Sequence, residues 1–162
     1  QLSYSIISQI ESLETIADSY GLELNHIKAH GALYNQMIID TELSNFYLNT
    51  IKDFKNKCSL YIPYKSEIEK IALKKGFSII YEVFGDRNYN DDLSLVSRNN
   101  ENALITDPES VVNHIKTIKE TETVKTINGN YKKIKFDTIC IHSDTNNSIE
   151  ILKKINQEFD ES

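Results

Sequence analysis

Apolar residues recur along the chain in two alternating rhythms, one helical and one extended. Ile6, Ile10, Leu13, Ala17 and Tyr20 follow helical spacing, and Gly21 is suited to close that helix in the left-handed conformation. The run LNHIKAH then predicts a strand, with a short helix carrying Tyr34 and Asn35 after Gly31. Leu43, Phe46, Tyr47, Thr50, Ile51 and Phe54 mark a second amphipathic helix, and CSLYI reads as a strand ended by Pro63. Residues 65–75 predict a third helix around Ile68, Ile71 and Ala72, closed by Gly76. FSIIYEVF, near-continuously apolar and rich in β-branched and aromatic residues, is the clearest strand.

A polar stretch from Gly85 to Thr106 predicts a long loop, of a length that in compact domains is functional or unstructured. DPES announces a helix, with Asp107 as N-cap, Pro108 at its first position and Val111, Val112, Ile115 and Ile118 on its apolar face. TVKTINGNYKKIKF predicts a hairpin turning at Asn128-Gly129, and DTICIH a buried strand. A last helix runs through Ile149, Leu152, Ile155 and Phe159, starting near Asn146 or Asn147. Such alternation points to an α/β fold of parallel strands with covering helices, expected as one domain over residues 1–162. An eight-stranded barrel typically takes about 250 residues. Four clear strands therefore fit a small open sheet or a piece of a barrel.

Composition narrows the partners. With 40% hydrophobic and 26% charged residues and a net charge of −6, nucleic acid and anionic membrane surfaces are not expected partners. Cys58 and Cys140 form no CxxC pattern and no signal peptide is visible, which predicts a reduced, cytoplasmic setting. The chain opens on Gln1 with an amphipathic pattern already under way by Tyr4, so processing or membership of a longer protein is expected.

Three predicted strands finish in polar signatures, and in parallel α/β architectures ligands bind beyond those carboxyl ends. The first signature contributes Lys28 and His30 with Tyr34 and Asn35; the second Glu82, Asp86 and Arg87; the third His142, Asp144 and Thr145. Each also has a structural reading. His30 and His142 fit hydrogen-bonded structural histidines, Asp86-Arg87 a loop ion pair, and Asp144 a cap on the last helix. A metal site built from His142, Asp144 and His30 is a further option, but no closed structural zinc spacing is present and no metal ligand is assigned.

HIKAHGALYN, EVFGDRNYNDDLSLVSR and TICIHSDT, in this order and spacing, resemble the LamB/YcsF family, that of the A subunit of bacterial 5-oxoprolinase. Its members carry Lys-Pro-His-Gly-Ala-Leu-Tyr-Asn, Phe-Ala-Asp-Arg followed by Leu-Val-Pro-Arg, and Cys-Val-His-Gly-Asp-Thr. The likeness spans essentially the whole chain and corresponds to the C-terminal two-thirds of family members. Their N-terminal Ala-Cys-Gly-Phe-His-Ala-Gly-Asp and Gly-Ala-His-Pro segments have no counterpart here. Turn residues have drifted: Ala29 stands for the usual proline, Gly85 for alanine, Ser97 for the proline before Arg98, and Ser143 for glycine.

The resemblance implies a partial (β/α) barrel related to polysaccharide deacetylases. It also implies ATP-dependent opening of 5-oxoproline to L-glutamate together with B and C subunits, with ATP bound with those partners. Within the matched motifs, His30, Asp86, His142 and Asp144 are the expected proton-handling residues. Lys28, Tyr34, Asn35, Glu82, Arg87 and Arg98 are the expected substrate-binding residues, the cations suiting a carboxylate or phosphate. No Walker-type glycine loop is present for ATP binding by this chain alone. Two other readings remain open at this point: a catalytically silent subunit-interaction module, and a metal-dependent deacetylase-like hydrolase.

Overall fold

The computed structural model describes residues 1–159. The chain divides into two compact units, Gln1–Ile80 and Tyr81–Ser162. Both are built of parallel strands and helices, as expected of an α/β protein.

The first unit opens with helix α1 (Leu2–Ser19), after which Gly21 adopts φ +68°. Of the apolar stripe predicted for α1 only Ile6 is buried; Leu13 and Tyr20 are exposed, and so is Ile16, which lies outside that stripe. Strand β1 is just His26–Ile27, shorter than LNHIKAH predicts, and pairs in parallel with β2 (Ser59–Ile62). Beyond Ile27 the chain leaves the ladder to turn into α2 (Gly31–Gln36). Gly31 sits at φ +60° with open space where a side chain would begin, so its backbone angle is what calls for glycine.

The amphipathic run predicted through Phe54 is two elements: α3 (Thr41–Thr50) and a 3₁₀ turn at Lys52–Phe54. Asp40 caps α3 by accepting from the Leu43 N–H at 2.9 Å. At its far end the Thr50 hydroxyl donates to the Phe46 carbonyl, and the helix gives way at Ile51 (φ −96°, ψ 14°). Helix α4 (Glu67–Lys75) is capped by Ser66, carries Glu67 and Glu69 at its positive end and Lys74 and Lys75 at its negative end, and stops at left-handed Gly76. The Leu60 N–H then donates to the Ser78 carbonyl at 2.9 Å, laying β2 beside the chain that enters β3 (Ile79–Phe84).

In the second unit β3 pairs in parallel with β6 (Thr138–Cys140), with Glu82 opposite Thr138 and Phe84 opposite Cys140. Helix α5 (Pro108–Thr121) starts as DPES predicts, with the Asp107 carboxylate accepting from the Ser110 N–H at 2.8 Å. It packs on α6 (Ser148–Phe159) through Val111, Ile115 and Ile151, with Ile139 and Ile141 beside them. The predicted hairpin is present as β4 (Thr123–Lys125) and β5 (Tyr131–Lys133), with Gly129 at φ +82° in the turn. Among the described residues no helix is long and apolar enough to cross a membrane.

Candidate active site

Strand register builds the centre of the site. Phe84 and Cys140 are partners, and continuing each parallel strand by two residues places Asp86 beside His142. Gly85, between Phe84 and Asp86, donates its N–H to the Cys140 carbonyl at 3.0 Å. A Cβ at Gly85 would lie 2.8 Å from Ile141 Cδ1 and 3.0 Å from Ile115 Cδ1, so the two isoleucine side chains pack into space that a larger residue here would make them give up.

Asp86 is fully buried and surrounded by donors. Its Oδ2 accepts from the His142 backbone N–H at 2.9 Å and from the Thr145 hydroxyl at 2.5 Å. Its Oδ1 lies 3.0 Å from His142 Nδ1. Burial pushes the Asp86 carboxyl upward, but the donors from the His142 ring, Thr145 and the His142 N–H outweigh it, and the group titrates below the usual carboxylate range. An ionised Asp86 holds the proton of a neutral imidazole on Nδ1 and leaves Nε2 as the basic nitrogen. The Phe84 ring stacks on the imidazole, centroids 5.1 Å apart and planes 9° apart, so His142 is fixed from its edge and its face. One quarter of the His142 side chain stays open to solvent.

Arg87 and Arg98 differ sharply. The Arg87 side chain is buried, donating from Nε to the Ala103 carbonyl (3.3 Å) and from its Nη2 to the Val96 carbonyl (2.7 Å). Burial and the charge of Arg98 lower its pKa. Arg98 is exposed and meets Asp144 in a two-pronged ion pair, Nη1 to Oδ2 at 2.6 Å and Nη2 to Oδ1 at 3.3 Å. The Arg98 hydrogen bond holds the Asp144 carboxyl below its ordinary range. Asp86 and Arg87 thus serve different partners, and the Asp144 carboxylate faces Arg98, where a helix-capping aspartate would turn to backbone N–H groups. Glu82 is buried within β3.

The residues of the first motif lie in the first unit. Lys28 is half-buried, its ammonium 5.9 Å from the centroid of the buried Tyr34 ring. His30 is exposed at the N-cap of α2 (φ −127°, ψ 159°), and Asn35 is exposed on that helix. Among the described residues no group of three or more His, Cys, Asp or Glu side chains is placed to hold a metal ion.

The site contains groups beyond the catalytic and binding residues expected from the motifs. Thr145 is a buried donor to Asp86, Phe84 is the stacking face for His142, and the Tyr89 hydroxyl accepts from the Phe84 N–H at 2.8 Å. His114 of α5 stacks on Tyr89 with centroids 6.2 Å apart, and burial lowers its pKa. Thr145 is visible within the third motif; the aromatic contacts have no signal in spacing.

Acid should weaken this arrangement. Asp86 and Asp91 both titrate low, Asp91 at about 2 because Thr126, Asn128 and Asn130 donate to it. A depressed folded-state pKa contributes stability that is complete above the unfolded value of about 4 and disappears as pH falls through the folded value. The urea midpoint should therefore fall from pH 4 toward pH 2, and Asp86→Asn should flatten part of that slope. A midpoint whose acid dependence is the same in the variant would contradict the assignment.

Over most of its length the chain is similar to known proteins. The chain is 36% identical over 156 residues to the A subunit of 5-oxoprolinase from Pyrococcus abyssi, covering 96% of this chain and 61% of that protein. It is 39% identical over 152 residues to the protein of the same name from Campylobacter jejuni, covering 93% and 59%. The crystal structure of the lactam utilization protein from Thermus thermophilus superposes with a TM-score of 0.88 at 26% identity, over 98% of this chain and 63% of that one. The chain therefore spans about three-fifths of the length of these relatives. The LamB/YcsF family profile matches residues 1–162, and the chain belongs to the LamB/YcsF family.

Proposed function

We propose that this chain takes part in 5-oxoprolinase chemistry: the ATP-dependent opening of 5-oxoproline to L-glutamate, in a complex with B and C subunits. The observation that carries the reading is the imidazole of His142, held by buried Asp86 with its Nε2 as the basic nitrogen, in a chain similar to proteins named as the A subunit of 5-oxoprolinase. That those relatives are named as one subunit of an enzyme supports a multi-chain assembly.

A lactam resists hydrolysis because its amide is resonance-stabilised. ATP, bound with the partner subunits, would supply phosphorylation of the lactam oxygen. His142 Nε2 takes a proton from water as the water oxygen bonds to the ring carbon, and returns a proton to the ring nitrogen as the carbon–nitrogen bond breaks. That cleavage leaves the side-chain carboxyl as an acyl phosphate, which a second water converts to glutamate and inorganic phosphate. Asp86 stabilises the imidazolium formed between those steps and keeps the ring in one orientation. Arg98 is the exposed fork beside this pair and is assigned the substrate carboxylate. In the first unit, Lys28, Tyr34 and Asn35 are proposed as substrate-binding residues and His30 as a proton carrier, on the motif resemblance alone.

The test mixes the chain with B and C subunits and follows ATP-dependent release of glutamate. His142→Ala should lower the rate by about 100- to 10,000-fold. Unchanged glutamate release by a folded variant would remove His142 from the reaction. A second reading, an interaction module without turnover, is favoured by the exposed Leu13 and Ile16 on α1 and Tyr20 at its end cap. Glutamate release by the B and C subunits with an undiminished rate when this chain is left out would decide for it.

A further inference from the structure

Asp144 lies two residues beyond His142, and its carboxylate fills the fork of Arg98 through two contacts, 2.6 and 3.3 Å long. Both side chains are open to solvent, 46% exposed for Arg98 and 61% for Asp144. Ion pairs of this kind hold weakly, because water competes for both charges and two long side chains must be kept in one geometry. Arg98 also lies close enough to Asp86 and Arg87 for its charge to act on both. Arg87 has committed its guanidinium to the Val96 and Ala103 carbonyls, whereas the Arg98 fork is held by an exchangeable carboxylate. A weakly held carboxylate, two residues beyond His142, therefore occupies the planar fork of Arg98.

We propose that Asp144 is an internal stand-in for the substrate's carboxylate, occupying the Arg98 fork in the free chain and exchanged for the carboxylate of the lactam acid on binding. The inference rests on the 5-oxoproline reading and adds a basis for specificity to it. Exchange replaces one carboxylate by another, so Arg98 keeps its planar, two-pronged partner throughout and the displaced Asp144 turns to water. A neutral lactam has nothing to offer the fork and cannot compete. Asp144 in this role is a positioning and specificity residue, holding the Arg98 fork until the substrate's carboxylate replaces it.

The experiment titrates 5-oxoproline into the 162-residue chain, Asp144→Asn and Arg98→Gln by calorimetry, with folding checked by circular dichroism. The neutral ring 2-pyrrolidinone is titrated alongside. Asp144→Asn, which vacates the fork without adding bulk, should bind 5-oxoproline about two- to five-fold more tightly than the unaltered chain. Arg98→Gln should bind it more weakly, by about ten-fold or more, and 2-pyrrolidinone should not distinguish the three proteins. Equal or weaker binding of 5-oxoproline by Asp144→Asn overturns the exchange and leaves the 5-oxoproline reading standing. So does tighter binding of 2-pyrrolidinone by the same variant. Binding of 5-oxoproline by neither the unaltered chain nor Asp144→Asn overturns both.

Discussion

Replacing Asp86 by alanine is expected to destabilise the protein by about 3 kcal/mol and to abolish glutamate formation in the reconstituted enzyme. The carboxylate is fully buried and receives the His142 backbone N–H, the His142 ring and the Thr145 hydroxyl. Truncation leaves the N–H and the hydroxyl without an acceptor in a region water barely reaches, and unmade bonds of that kind cost about 1–3 kcal/mol each. Against a typical total stability of about 5–15 kcal/mol the loss is large, equivalent to a fall in urea midpoint of about 1.5 M.

Asp86→Asn separates stability from chemistry. The amide keeps the volume and one acceptor oxygen, so less stability is lost. Its NH₂ group facing Nδ1 would turn the imidazole into the wrong tautomer, with the proton on Nε2 where a base is required. Activity should therefore fall nearly as far in Asp86→Asn as in Asp86→Ala. An asparagine variant that retained most of its turnover would show that Asp86 only supports the fold.

Arg87→Ala is expected to cost a similar amount, about 3 kcal/mol, for a different reason. Its guanidinium spans the inside of the loop between β3 and α5, tying Val96 on one side to Ala103 on the other. The backbone of the same loop closes through Asn88 N–H to the Ala103 carbonyl, Val96 N–H to the Asn88 carbonyl and Ile105 N–H to the Asp86 carbonyl. Without the side chain two carbonyls lose donors and a cavity opens beneath the loop, so amide hydrogen exchange should rise across residues 94–104. Lysine should rescue only part of the loss, because one ammonium cannot reproduce a planar fork serving two carbonyls. The alternative role, holding a substrate anion, predicts the reverse: weaker substrate binding with little change in stability or exchange.

Much of the architecture is legible in local chemistry. Asp107-Pro108 begins α5, Gly76 ends α4 and Asn128-Gly129 turns the hairpin, each because one residue's backbone preference or capping oxygen acts on its immediate neighbours. Strand limits are less legible. Residues 24–30 and 137–142 look extended throughout, yet only His26–Ile27 and Thr138–Cys140 are paired. Beyond Cys140 the Asp86 side chain takes over the His142 N–H, and beyond Ile27 the chain turns into α2; an apolar pattern registers neither. The single amphipathic run through Phe54 likewise conceals the break at Ile51.

The sequence alone was enough to mark Asp86, Arg87, His142 and Asp144 as polar residues at strand ends, because alternating apolar runs and turn residues are properties of the chain itself. It also carried three motifs specific enough to indicate the family. Which of these groups meet was decided by tertiary structure. Parallel register is set by how two distant segments align, and it put Asp86 against His142 with Thr145 closing the carboxylate from the other side. Burial then separated two arginines of identical chemistry: Arg87, enclosed, must satisfy carbonyls, while Arg98, in water, can exchange its partner.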